Sequence, residues 1–241
     1  MLRELEKRAS PEQLEDFNYR MDMSWIHHDS ALEGTVYEPS ELVAAINDNV
    51  ASDSALIPVY DDIRNYKAAI DLIRRLSKAK CEVDLDTIKE IYTTLVPEEA
   101  EGKGPPKYRK DMPLHRVYFH EISAPEKISY KMRQLLTWLH SEETERTMHP
   151  TRIASKAHHT LLQIFPFPKH SGKVARLLMN LLLMREGYPP AVLHATDRQR
   201  YYDALKTSSD AVAVVVNDAL ANAVDSGLRF WNREFGIDDE E

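Results

Sequence analysis

Residues 165–176 read Phe-Pro-Phe-Pro-Lys-His-Ser-Gly-Lys-Val-Ala-Arg, and they raise the clearest chemical question in the sequence. A helix that begins after this proline-rich turn leaves its first backbone N–H groups unpaired and carries the positive end of its dipole there. Lys169, His170, Lys173 and Arg176 crowd the same spot, with no carboxylate between Phe165 and Arg185. Donors, dipole and cations together describe a site for an anion such as phosphate. Gly172 leaves room at the helix start, and Ser171 reads as a helix cap rather than a nucleophile. His170 admits three readings: a general base, a phosphate donor when protonated, or a helix-end side chain without chemistry. Phe165 and Phe167 read as anchors of the turn, Phe165 also walling the cleft. The competing reading of the whole stretch is an ordinary capped helix with solvated cations.

Other chemistry is weaker. A P-loop would need glycine where Phe167 stands and Ser or Thr where Val174 stands. His27-His28 and His158-His159 lack the spacing that turns two imidazoles toward one ion, so no metal site is expected. The single cysteine, Cys81, has no partner for an internal disulfide and fits a reducing compartment or a structural buried thiol.

Helices must position the turn. Ser10-Pro11-Glu12-Gln13 carries a capping box with proline at the first helical position. Pro39-Ser40-Glu41 opens a helix to about Asn47. Ile63, Tyr66, Ala69, Ile70 and Ile73 form a helical stripe within 58–80. Asp84 or Asp86 caps a helix ending at Val96-Pro97, and further helices are expected at about 124–141, 149–164, 171–186, 196–208 and 210–226. Asp210 is the candidate cap of the last. Val174, Leu177, Leu178, Leu181 and Met184, with Met179, Leu182 and Leu183 beside them, make the helix after the turn apolar nearly all round, the mark of a central helix. Residues 101–123 hold two glycines and three prolines before an extended Val117-Tyr118-Phe119, the one place where a β-hairpin is expected.

At 241 residues, 43% hydrophobic and 29% charged, the chain has ordinary globular composition. Its net charge of −8 argues against nucleic acid as a general partner. The N-terminus is charged without an apolar run, and the apolar stretches around Leu177–Met184 and Ala211–Val216 are shorter than a membrane span. These features lead to the expectation of a cytoplasmic protein without a membrane partner.

The turn resembles the signature of the Fic family, His-Pro-Phe-x-Asp/Glu-Gly-Asn-Gly-Arg-x-x-Arg followed by a buried helix. Pro166, Phe167, Gly172 and Arg176 match, and "RLLMNLLLMREGYPP", "DRQRYYDAL", "PPKYRK" and "KISYKMRQLLTWLH" resemble further family segments in the right order over roughly residues 55–210. The resemblance implies a mainly α, Fic-like helical bundle with a β-hairpin flap. It also implies N-terminal helices over 1–54, a core over 55–210, and a C-terminal helix with an acidic tail over 211–241. Members of the family mostly transfer AMP from ATP to a protein hydroxyl, and their flap holds the target by strand addition.

Against that pattern, Phe165 stands at the catalytic histidine and Lys169 at the metal-binding carboxylate, so neither the usual base nor a Mg²⁺ ligand is expected. His170 and Ser171 replace Gly and Asn, and Lys173 replaces the first arginine. "HHDSALEGT" resembles the family's N-terminal inhibitory helix, Ser/Thr-x-x-x-Glu-Gly/Asn. Asp29 stands in the hydroxyl position, while Glu33 and Gly34 match and imply a Glu33–Arg176 pair. The leading expectation is a degenerate Fic protein keeping a pocket for ATP or another phosphate compound, lined by Lys169, Ser171, Gly172, Lys173, Arg176 and Tyr201. Its flap around Lys107–Phe119 would hold a protein or small-molecule target. The alternatives are an enzyme of altered, Mg²⁺-independent chemistry using His170, or a structural bundle that oligomerises with itself.

Overall fold

The structure is a computed structural model and describes residues 2–47, 53–100, 104, 106–113 and 121–237. Its helices are α1 (Leu2–Glu6), α2 (Pro11–Leu32), α3 (Pro39–Ile46), α4 (Ile57–Lys78), α5 (Leu85–Leu95), α6 (Ile128–Leu139), α7 (Glu142–Thr147), α8 (Pro150–Ile164), α9 (Ser171–Arg185), α10 (Arg198–Thr207) and α11 (Ser209–Phe235). The expected capping box forms at Ser10, whose hydroxyl accepts from Gln13 N–H while the Gln13 side chain accepts from Ser10 N–H. Asp84, not Asp86, caps α5.

Helix α9 is the hub. Every residue from Ser171 to Leu183 is buried, and the helix lies against α8, α4 and α5. Burying a large aliphatic side chain contributes about 1.5–3 kcal/mol, so this one element concentrates much of the hydrophobic driving force. Asn180 breaks its apolar surface for a reason. Its amide accepts from Ala191 N–H at 2.7 Å and donates to Ala191 C=O at 3.3 Å, fixing the loop after α9.

Several expectations are corrected. Among the described residues there is no strand: 106–113 and 121–124 run as irregular chain, and Val117-Tyr118-Phe119 lies outside the described residues. Helix α2 runs from the Ser10 cap through "HHDSAL", so the inhibitory-helix-like segment forms its last turns, with no breaker before Gly34. Gly34, at φ 95°, then reverses the chain in the left-handed region that favours glycine. Helix α11 is capped by the Ser208 hydroxyl, not by Asp210, which instead pairs with Arg152. It also runs on to Phe235, so by length and apolar content alone it reaches the size of a membrane span, packed here on α8, α10 and α1. Helices α1 and α7 were not anticipated.

Candidate functional site

The turn between α8 and α9 begins and ends on left-handed residues, Phe165 at φ 49° and His170 at φ 53°. That conformation costs a side-chain-bearing residue on the order of 1–2 kcal/mol, so surrounding bonds must hold it. Arg109, itself buried, does much of the holding. Its guanidinium donates to the carbonyls of Phe165 at 2.6 Å, Asp111 at 3.0 Å and Ile164 at 3.3 Å, and also to Ser123 C=O. Its backbone N–H donates to Pro166 C=O at 2.9 Å. Ser123 adds two bonds to Gln163 C=O, from N–H at 2.8 Å and from its hydroxyl at 3.0 Å. The carbonyls left over at the end of α8 are thereby satisfied by the segments on either side of residues 114–120.

Inside the turn, the Ser171 hydroxyl accepts from Phe167 N–H at 2.9 Å and donates to Phe167 C=O at 3.0 Å. It is not the N-cap of α9. That position belongs to His170, which offers no side-chain cap. Phe167 is fully buried and stacks on Tyr92 at 4.0 Å, anchoring the turn as expected.

The turn's cations all meet carboxylates from other parts of the chain. Lys169 is exposed and lies 3.5 Å from Glu98. Lys173 is buried, 3.0 Å from Asp62 of α4 and 5.1 Å from the centre of the Tyr66 ring. His170 Nε2 stands 3.8 Å from the other Asp62 oxygen. Asp62 also accepts from the Tyr37 hydroxyl. Burial alone would push the Asp62 carboxyl up, but Lys173, Tyr37 and His170 together hold it below its ordinary value. Burial and the charge of Lys173 lower the pKa of His170, against the pull of Asp62, so its ring is neutral at pH 7.

Arg176 is 1% exposed and carries the most complete pairing. Its guanidinium meets Asp29 through two bonds, one from Nε and one from Nη2 at 3.0 Å. Nη2 also donates to Glu33 at 2.6 Å. Asp29 and Glu33 sit one turn apart at the end of α2, and that end is fixed by Arg198 and the Tyr202 hydroxyl, both donating to Leu32 C=O. The implied Glu33–Arg176 pair is therefore present, with Asp29 as a second partner that the sequence reading had only as a replaced hydroxyl. Tyr201 is fully buried, its hydroxyl 2.9 Å from His158 Nε2, and forms part of the core behind Arg176 rather than an open wall. Gly172 is buried at the second position of α9.

The site is thus built from the end of α2, the α4 face bearing Asp62, the turn, and the start of α9. Residues 82–183 match the model of the Fic/DOC family. The chain carries a Fic/DOC family domain. Curated relatives called protein adenylyltransferase Fic include those of Drosophila virilis, 29% identical over 187 residues, and Drosophila melanogaster, 28% identical over 187 residues. Each match covers 77% of this chain, which spans only 37% of the relative's length. A Fic domain containing signaling protein from Bacteroides thetaiotaomicron shares the fold at a TM-score of 0.78 and 19% identity, over 100% of this chain and 98% of that one. Fic-1 from C. elegans aligns at a TM-score of 0.77 and 22% identity, over 95% of this chain and 68% of that one.

Of the residues at the site, sequence reasoning found the turn and Glu33 but missed Asp62, Tyr37 and Arg109. Asp62 and Tyr37 carry no local motif, and only the packing of α4 and of the chain between α2 and α3 brings them to the turn. Arg109 lies inside the quoted "PPKYRK", where an arginine beside a loop of prolines was the available signal.

Proposed function

We propose that the chain is a Fic-domain binding or regulatory module that takes up a phosphate compound such as ATP and does not transfer AMP by the family's usual route. The observation that carries this reading is Phe165 at the head of the turn. By the resemblance it occupies the position of the family's catalytic histidine, and a phenyl ring accepts no proton. Lys169 at the acid position supports the same reading, since an ammonium repels Mg²⁺. The relatives' name, adenylyltransferase, supports ATP as the ligand class. In the paired arrangement Arg176 is engaged by Asp29 and Glu33, so a phosphate reaching it must displace the more exposed of the two, Glu33. The segment around Lys107–Phe119 is the docking place for a target, as the resemblance implies.

A second reading is favoured by one contact. His170, its pKa lowered by burial and Lys173 and its Nε2 3.8 Å from Asp62, has a neutral ring able to accept a proton, as an enzyme of altered chemistry would need.

The test combines calorimetric titration of ATP into the chain and its Glu33→Gly variant, with and without Mg²⁺, and intact-mass analysis after incubation with ATP and soluble cell extract. Tighter, Mg²⁺-independent binding to the variant and no AMP adduct on any protein are expected. An AMP adduct, or no ATP binding to either protein, overturns the proposal.

A further inference from the structure

Helices α6 and α8 pack side by side and enclose a groove of about 280 Å³, away from the carboxylate-paired cations of the turn. Lys131, Gln134 and Trp138 reach it from α6, and Lys156, Thr160 and Gln163 from α8. On each helix these residues fall at three- and four-residue steps, so they form two facing stripes. Neither helix contains an Asp or Glu, although the whole chain has 39. Glu126 and Glu142 stand beyond the two ends of α6. Among the described residues no carboxylate pairs with Lys131 or Lys156. The Lys156 ammonium instead sits over the Trp138 ring, 4.6 Å from its centre.

We propose that this groove docks an acidic segment of a partner protein. The complementarity is twofold. Two lysines that no carboxylate among the described residues pairs attract carboxylates, and the half-buried indole beside Lys156 gives the aliphatic part of a Glu or Asp side chain an apolar seat. Leu135 and Ile164 form a buried floor, so a side chain entering the groove leaves water on one side and strengthens its ion pairs. A chain of net charge −8 repels an acidic partner elsewhere, which makes this patch selective by contrast. Lying against Gln163, the groove ends close to the turn at Phe165, so a partner held there is presented to the site. This docking does not depend on what the site binds.

The indole supplies the readout. Of the three tryptophans, Trp25 and Trp231 are fully buried, leaving Trp138 as the one a bound peptide can reach. Titration with an oligoglutamate peptide is expected to change Trp fluorescence saturably and to protect it from acrylamide quenching, with binding weakened by salt. The Lys131→Ala/Lys156→Ala variant, checked by circular dichroism, is expected to bind about tenfold more weakly. Lys78→Ala, on an exposed part of α4, is expected to leave affinity unchanged. The proposal is overturned if oligoglutamate gives no saturable signal, or if the double variant binds it as well as the parent. It is equally overturned if inorganic phosphate or a single-stranded oligonucleotide binds with the same affinity and the same lysine dependence. Self-association that disappears on removing residues 238–241 would assign the groove to a second copy's acidic tail and overturn it too.

Discussion

At the residue scale, Arg176 shows how one side chain depends on partners far away in sequence. Its two carboxylates differ in burial, Asp29 being 4% exposed and Glu33 20%. Removing one partner of a buried ion pair leaves a charge without compensation and costs about 3–5 kcal/mol, whereas a partner nearer solvent costs about 1 kcal/mol. Asp29→Asn is therefore expected to destabilise the fold by about 3 kcal/mol, and Glu33→Gln by about 1 kcal/mol, in urea denaturation. Equal losses would show that the two acids share the role. The residue carrying the family resemblance, Glu33, is thus the exchangeable partner, and Asp29 is the structural one.

At the scale of elements, the turn depends on the end of α8 being capped by Arg109. Four carbonyls, those of Phe165, Ile164, Asp111 and Ser123, converge on that guanidinium. Truncation to Ala strands them in a buried place, at about 1–3 kcal/mol for a group left without its partner. Arg109→Ala is expected to lower stability by about 3 kcal/mol in urea denaturation and to weaken any ligand binding at the turn. Arg109→Lys is expected to recover only part of this, because an ammonium lacks the planar fork that reaches several acceptors at once. The elements themselves were largely legible beforehand. Apolar stripes and caps placed α2–α6 and α8–α11, since a helix's register is written in its own residues. What escaped was where caps came from when the donor was remote, as with Arg109 and Ser123.

At the scale of the whole molecule, α2 is tied across the bundle next to the loop before α10, and histidines mark the crossing. His28 stacks on His194 at 4.3 Å, meets His27 at 5.2 Å, and its Nδ1 accepts from Ala195 N–H at 3.4 Å. Burial, then the neighbouring imidazoles, lower its pKa to about 4. A histidine depressed in the fold binds its proton more readily when unfolded, so stability is complete above pH 6.5 and falls as pH drops toward about 4. His170 acts in the same direction. Asp62, with its pKa lowered from 3.8, adds a further loss at more acidic pH. Thermal melts from pH 8 to pH 5 are expected to show a falling Tm. In His28→Gln that fall should shrink by about 1 kcal/mol, or ~2–4 °C, allowing for solvent around a half-exposed ring. An unchanged slope would place the acid sensitivity elsewhere.

The sequence by itself determined the helical class, the central apolar helix, the basic turn at its start and the family to which that turn points. These follow from periodicity, caps and a contiguous motif, all of which are local. Only the tertiary structure decided the charge state of the site. The turn contains no acid of its own, and read alone it is a cluster of free cations. Packing of α2 and α4 against α9 brings Asp29, Glu33 and Asp62 onto it from more than a hundred residues away. Ion pairing depends on distance in space, which no spacing along the chain records.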